Sequence, residues 1–198
     1  MAVDIKTIKR LKDLTGVGLT DAKKALEEAD GDFDKALDAM RKKGLTKAEK
    51  RGERETRQGI VGTYNHDNRI GVVVEVNCET DFVARNDIFG TLVKDISMQI
   101  AATNPEYVSI DRVPKDKFNL VREEFRAKTE KDKKPAELVA KIIDSQTQKY
   151  FAERCLMTQD FIKNPDQTVE QYIKENIARL GENITINRFS RIALGEIQ

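Results

Sequence analysis

Ile5, Ile8, Leu11 and Leu14 recur at intervals of three and predict the apolar face of a short helix with Asp4 at its cap. The glycines of TGVG, Thr15 to Gly18, break it. Thr20 is then placed to cap a second helix, with Ala22, Ala25, Leu26 and Ala29 inward and Gly31 as a left-handed C-cap. Asp32 opens a third, with Phe33, Ala36, Leu37 and Met40 inward and Gly44 after it. Helices this short are stable only when packed on one another, so residues 1–44 predict a three-helix unit. Residues 45–58 have almost no apolar face and predict a charged linker, partly helical at most.

From Gly59 the period shortens to that of strands. GIVGTYN and RIGVVVEVN flank the polar HDN (His66 to Asn68), a hairpin signal. Ile88, Leu92, Ile96 and Ile100 step by four along a helix that should end near Asn104-Pro105. YVSIDRV reads as a short extended segment, and Pro114 opens a helix carrying Phe118, Val121 and Phe125. EKDKKP, Glu130 to Pro135, reads as a solvated joint before a helical pattern through Leu138, Ile142, Tyr150, Phe151 and Cys155. A turn is expected at KNPDQ. Thr168 then caps a helix bearing Val169, Tyr172, Ile173, Ile177 and Leu180, and Gly181 closes it. ENITINRFSRIALGE alternates as a last strand. Helices and antiparallel strands out of strict βαβ order make the class α+β, with residues 59–198 forming a core in which helices pack an antiparallel sheet.

Composition narrows the function more than the fold. The 35 basic and 34 acidic residues nearly cancel, so no global field favours nucleic acid or an anionic membrane as partner. The exception is Arg41 to Arg57, with eight basic and three acidic residues, but no aromatics are interleaved for base stacking and a solvated tether is the plainer account. No apolar run approaches the roughly 18 residues of a bilayer span. The N-terminal MAVDIKTIKRLKD lacks a signal core, and two distant cysteines make no disulfide framework, so a cytoplasmic setting is expected.

Catalytic parts are scarce. His66 is the only histidine and is expected in the hairpin loop, whereas Cys78 ends a strand and Cys155 lies on a helix face. No metal-ligand spacing and no glycine-rich phosphate loop that follows a strand occurs. No catalytic residue, cofactor or metal is therefore expected, and a protein acting by binding is favoured over an enzyme. One stretch stands out: EVNCETDFVARND, Glu75 to Asp87, sets an acid and a phenylalanine side by side between the hairpin and the next helix. By spacing alone Phe82 reads as a core residue at a helix start.

Three stretches resemble the translation elongation factor Ts family. TGVGLTDAKKALEEADGDFDKALDAMRKKG, Thr15 to Gly44, is similar to its ubiquitin-associated-like N-terminal module, and VVEVNCETDFVARND carries its TDFVARN signature intact. KNPDQTVEQYIKENIARLGENITINRF is similar to the end of its core. The length matches the short form, without the duplicated core and long helical hairpin of larger members, and Ala22 stands where the family often has cysteine or serine.

The resemblance implies guanine-nucleotide exchange on the GTPase elongation factor Tu. Thr80, Asp81, Phe82 and Val83 would press on that partner near its nucleotide and magnesium, Phe82 as a wedge between helices and Asp81 as a hydrogen-bonding group. Val83 has packing inward as its alternative. Lys12, Val17, Gly18 and Leu19 would form a secondary contact, with closure of the little helical core as the competing role for Val17 and Leu19. The resemblance to the short form also allows two copies to pair through the final sheet as a homodimer. The alternative function is an adaptor that uses its three-helix module without exchange activity.

Overall fold

The computed structural model describes residues 3–15, 17–129 and 136–196, apart from the side chains at 45, 47 and 136. In α1 (Ile5–Thr15) only Ile8 and Leu11 are buried; Ile5 and Leu14, expected beside them, face solvent. The reason is geometric. A spacing of three lags a 3.6-residue helix by about 60° per step, so the outer two of four such positions point in opposite directions. Ile8 and Leu11 meet Ala22, Ala25 and Leu26 of α2 (Leu19–Glu28) and Ala36 and Met40 of α3 (Phe33–Arg51). Gly18 rather than Thr20 caps α2, because Leu19 is already helical and Thr20 falls within the first turn. Gly31 (φ +82°) donates its N–H to the Leu26 carbonyl at 2.8 Å, closing the turn after α2. Asp32 caps α3, accepting from the amides of Asp34 and Lys35, both at 3.1 Å.

α3 does not stop at Gly44. It runs on to Arg51, so the first half of the expected linker is helix. A Cβ on Gly44 would stand 3.2 Å from the Ala178 Cβ of α8 (Val169–Leu180), so this glycine marks a close helix crossing and not a terminus. Ala48 is 2% exposed in the main core, and Arg41 and Glu49 reach Glu175 and Lys174 of α8 at 3.5 and 3.6 Å. The basic stretch is thus in part a helix face laid against the core.

β1 (Gln58–His66) and β2 (Ile70–Cys78) form the expected hairpin, turned by Asp67 and Asn68 at φ 50° and 56°. β5 (Ile184–Ala193) pairs antiparallel on the other side of β2, giving the order β1-β2-β5. The inner face presents Val72, Val74, Val76 and Cys78 to Phe89, Leu92, Val93, Ile96 and Ile100 of α5 (Asp87–Thr103), with Ile173 and Ile177 of α8 in the same core. α4 (Asp81–Ala84) is a single turn between β2 and α5. α5 ends at Asn104, which takes the left-handed conformation.

YVSIDRV is not a strand. Only Tyr107 makes a β-bridge, to Cys155, and Ile110–Arg112 form a 3-10 turn. α6 (Lys115–Thr129) and α7 (Ala136–Ala152) pack as a helical pair, with Phe118 stacked on Phe151 at 5.2 Å; the expected joint Glu130 to Pro135 lies outside the described residues. KNPDQ, expected as a turn, supplies β4 (Asn164–Thr168), which pairs with β3 (Asp160–Phe161). The buried Gln99 side chain imposes this, accepting from the Ile162 amide at 2.9 Å and donating to the Asp160 carbonyl at 3.1 Å. Thr168 and Gln171 form a capping box at α8, and Gly181 (φ +82°) ends it. Among the described residues no helix is long and apolar enough to cross a membrane.

Candidate functional site

The polar-to-apolar order of Thr80-Asp81-Phe82-Val83-Ala84 sets the shape of the tip between β2 and α5. Thr80 has extended backbone and its hydroxyl oxygen accepts from the Val83 amide at 3.4 Å, which starts the helical turn. Successive residues of a helix are about 100° apart, so one turn cannot bury all its side chains. Val83 and Ala84 face inward at 6% and 8% exposure, and Phe82 stands out at 79%. Val83 takes the inward place that spacing alone assigned to Phe82. Asp81 is exposed and pairs with exposed Arg85 at 3.3 Å, a contact of little energetic weight. Asn86 caps α5 by accepting from the Ile88 amide at 2.9 Å. An exposed phenylalanine forgoes about 2 kcal/mol of burial, which only a partner can recover.

The tip is nonetheless fixed. The Glu182 carboxylate accepts from the Glu79 amide at 3.1 Å, the Thr80 amide at 3.0 Å and the Thr80 hydroxyl at 2.6 Å. In return the Glu79 carboxylate accepts from the Asn183 amide at 2.6 Å. Asn183, buried, donates its side-chain amide to the carbonyls of Arg54 at 2.8 Å and Gly52 at 3.3 Å. Sequence reasoning missed Glu182 and Asn183. The one local signal was an acid directly after a helix-closing glycine.

Beneath the tip, Cys78 donates its thiol hydrogen to the Thr80 carbonyl at 3.1 Å. Burial, helped by the Glu182 charge, pushes that thiol up to about 11, so at neutral pH it is a donor and not a nucleophile. Burial likewise pushes Cys155 up to about 11. His66 pairs with Ile70 at one end of the hairpin and Cys78 with Gln58 at the other, roughly 26 Å apart by strand rise, which rules out a Cys78–His66 couple.

Among the described residues a groove borders the tip and a cavity adjoins that groove. The open groove, of about 840 Å³, runs along the side of the tip between Gly59 and Ile60 of β1 and Arg85, Gly90 and Lys94. The cavity, of about 380 Å³, lies between the helical region and the core, walled by Leu14, Val17, Met40, Ile88 and Tyr172. Asp87 and Thr91 line both, so the hollows adjoin at the start of α5. Of the secondary set, Lys12, Gly18 and Leu19 are exposed, while Val17 is half-buried against the helical core. Leu14, assigned to the core from its spacing, is exposed near them along the chain.

Comparison with known proteins adds an independent line. The family model described as elongation factor Ts matches residues 45–196. The chain is 48% identical over 197 residues to the elongation factor Ts of Geobacter sulfurreducens, covering 99% of this chain and 91% of the relative. To that of Thermodesulfovibrio yellowstonii it is 43% identical over 198 residues, covering 100% and 99%. To that of Carboxydothermus hydrogenoformans it is 49% identical over 190 residues, covering 96% and 88%.

Proposed function

The chain belongs to the elongation factor Ts family, and from that premise we propose that it is a guanine-nucleotide exchange factor for elongation factor Tu, acting by binding and without covalent catalysis. The observation that carries the reading is the Phe82 ring held out from an anchored turn. Thr80, Asp81 and Phe82 press on the partner near its bound nucleotide, while Val83 takes its alternative role and packs inward beneath them. Phe82 enters between helices of the nucleotide domain and Asp81 holds the displaced elements by hydrogen bonds. A bound Mg²⁺ requires near-octahedral oxygens at about 2.0–2.1 Å, so small displacements of its surroundings are costly. Packed interiors rearrange discretely, so a ring that enters one forces a step rather than a drift.

Linkage sets the rest. The factor binds the nucleotide-free GTPase more tightly than the loaded one, and GDP weakens its binding by the same factor that it weakens GDP. Refilling with GTP releases it. The direct test is release of fluorescent GDP from elongation factor Tu in stopped flow, where saturating chain should accelerate dissociation about tenfold to 100-fold, the range of ordinary coupling energies. Unchanged dissociation would favour the adaptor alternative.

In this reading residues 1–44 are a ubiquitin-associated-like docking unit, the last part of α3 and residues 52–57 join it to the core, and the core carries the wedge in the cytoplasm. The support is that Leu19, 49% exposed, and Gly18 at the start of α2 face solvent, as does Lys12 in the last turn of α1. A tethered second contact raises the effective concentration of the wedge. Leu19→Asp combined with Lys12→Ala should therefore raise the concentration for half-maximal exchange about tenfold and leave the saturated rate unchanged. A fall in the saturated rate would place the turn in the exchange step itself.

A second copy of the chain is the partner proposed for the sheet's outer face. Val61, Val73 and Ile192 are exposed there and sit on diagonal positions of β1, β2 and β5, an apolar line across all three strands. Sedimentation velocity should show a concentration-dependent dimer that Val73→Asp abolishes. A monomer at every concentration would remove the pairing and leave the exchange reading intact.

A further inference from the structure

α4 has four residues, too few to hold itself together, yet it carries the most exposed large apolar side chain among those described. Its own cap is weak, since the Thr80 hydroxyl accepts from the Val83 amide at 3.4 Å. The same hydroxyl sends its proton to Glu182 at 2.6 Å, a short charge-assisted bond, and the other Glu182 oxygen takes the two preceding amides. Resting on the reading of the tip as the partner-binding wedge, we propose that Glu182 is the positioning residue of Phe82. It fixes the backbone two residues before the ring and so sets the direction in which the ring leaves the surface.

The placement of this carboxylate follows from the chain around it. Gly181 closes α8 at φ +82°, and that left-handed turn redirects the chain so that the next residue meets the end of β2. Asn183 then starts the exchange in the opposite direction, giving its amide to Glu79 and its side chain to the carbonyls of Gly52 and Arg54. Arg54 also reaches Glu79 at 3.5 Å. The end of α3, the end of α8 and the root of the tip are thereby tied at one point. Ordering a free residue on binding costs about the equivalent of a tenfold loss in affinity, and Glu182 removes that cost before the partner arrives.

The test uses the full chain with elongation factor Tu loaded with fluorescent GDP. Glu182→Ala and Glu182→Gln are made alone and together with Phe82→Ala. Amide hydrogen exchange at Glu79 and Thr80 is followed by NMR in each. Glu182→Ala should slow stimulated release about tenfold and strip protection from both amides. Glu182→Gln, which keeps an acceptor but not the charge, should recover part of both. In the Phe82→Ala background, Glu182→Ala should cost no more than about threefold, the share carried by Asp81, because the ring is the main group it positions. The same tenfold loss in both backgrounds, or wild-type release in Glu182→Ala with protection gone, would overturn the proposal while leaving the wedge in place. Wild-type release in Phe82→Ala would instead remove the wedge and the proposal with it. If Glu182→Ala does not fold, the glutamine variant carries the same cycle.

Discussion

Phe82→Ala is expected to slow elongation factor Tu's stimulated GDP release about 30-fold, while its melting curve stays at or slightly above the parent's. The two halves of that expectation come from one fact. At 79% exposure the ring contributes almost nothing to its own core, so its removal leaves no cavity and strands no polar group. Under the proposed exchange reading its worth is realised in the complex, where a desolvated aromatic anchor at the centre of an interface typically accounts for about 2 kcal/mol or more. Asp81→Ala should cost less, about threefold, since the carboxylate is exposed and its only described ion pair is with exposed Arg85. The measurement is the saturated release rate set beside thermal unfolding by circular dichroism. A Phe82 variant that exchanges as fast as the parent would remove the ring from the mechanism. One that loses activity and stability in parallel would mean that the ring is structural.

That the ring points outward is a matter of helical phase, and phase is hard to read from four residues. Periodicity needs several turns to separate one face from another. With Phe82 and Val83 adjacent, apolarity alone favours burying the larger. The TDFVARN resemblance reversed that choice, and the inward faces of Val83 and Ala84 supply the physical reason. Local chemistry was legible elsewhere for the same reason that it is local. Asp32 and Thr168 cap the helices that follow them through partners two or three residues away. The turn residues of the β1–β2 hairpin are equally self-contained.

Contacts that cross the chain were not legible. Gly44 looks the same in sequence whether it ends a helix or admits Ala178 of another, and only the partner decides. KNPDQ carries turn residues, but Gln99 conscripts the segment before it into a hairpin from more than sixty positions away. Glu182 lies over a hundred positions from the tip it holds, and no pattern local to either segment joins them.

The largest loss of stability is expected from Gly59→Ala, about 3 kcal/mol, or about 10 °C in the melting temperature of a chain this size. Gly59 lies at φ +152°, and a Cβ there would stand 2.2 Å from the Val76 carbonyl oxygen and 2.7 Å from the Asn77 Cα. Both are backbone atoms of the central strand and cannot step aside as a side chain would. Gly62 offers the comparison, because its added Cβ would first meet the Val93 side chain, at 2.3 Å, and Gly62→Ala should cost about 1–2 kcal/mol. The site of the damage matters as much as its size. Gly59 pairs with Asn77, one residue before the strand end that leads into the tip, and it lines the groove beside Asp81 and Arg85. Opening the ladder there displaces the root of α4, so exchange should fall even at temperatures where Gly59→Ala is fully folded. Gly62→Ala, in mid-hairpin, should spare exchange in proportion to its folded fraction. A Gly59 variant that melts with the parent would show that β1 does not approach β2 this closely. One that melts early yet exchanges normally when folded would show that the tip takes its position from Glu182 and α5 and not from the strand beneath it.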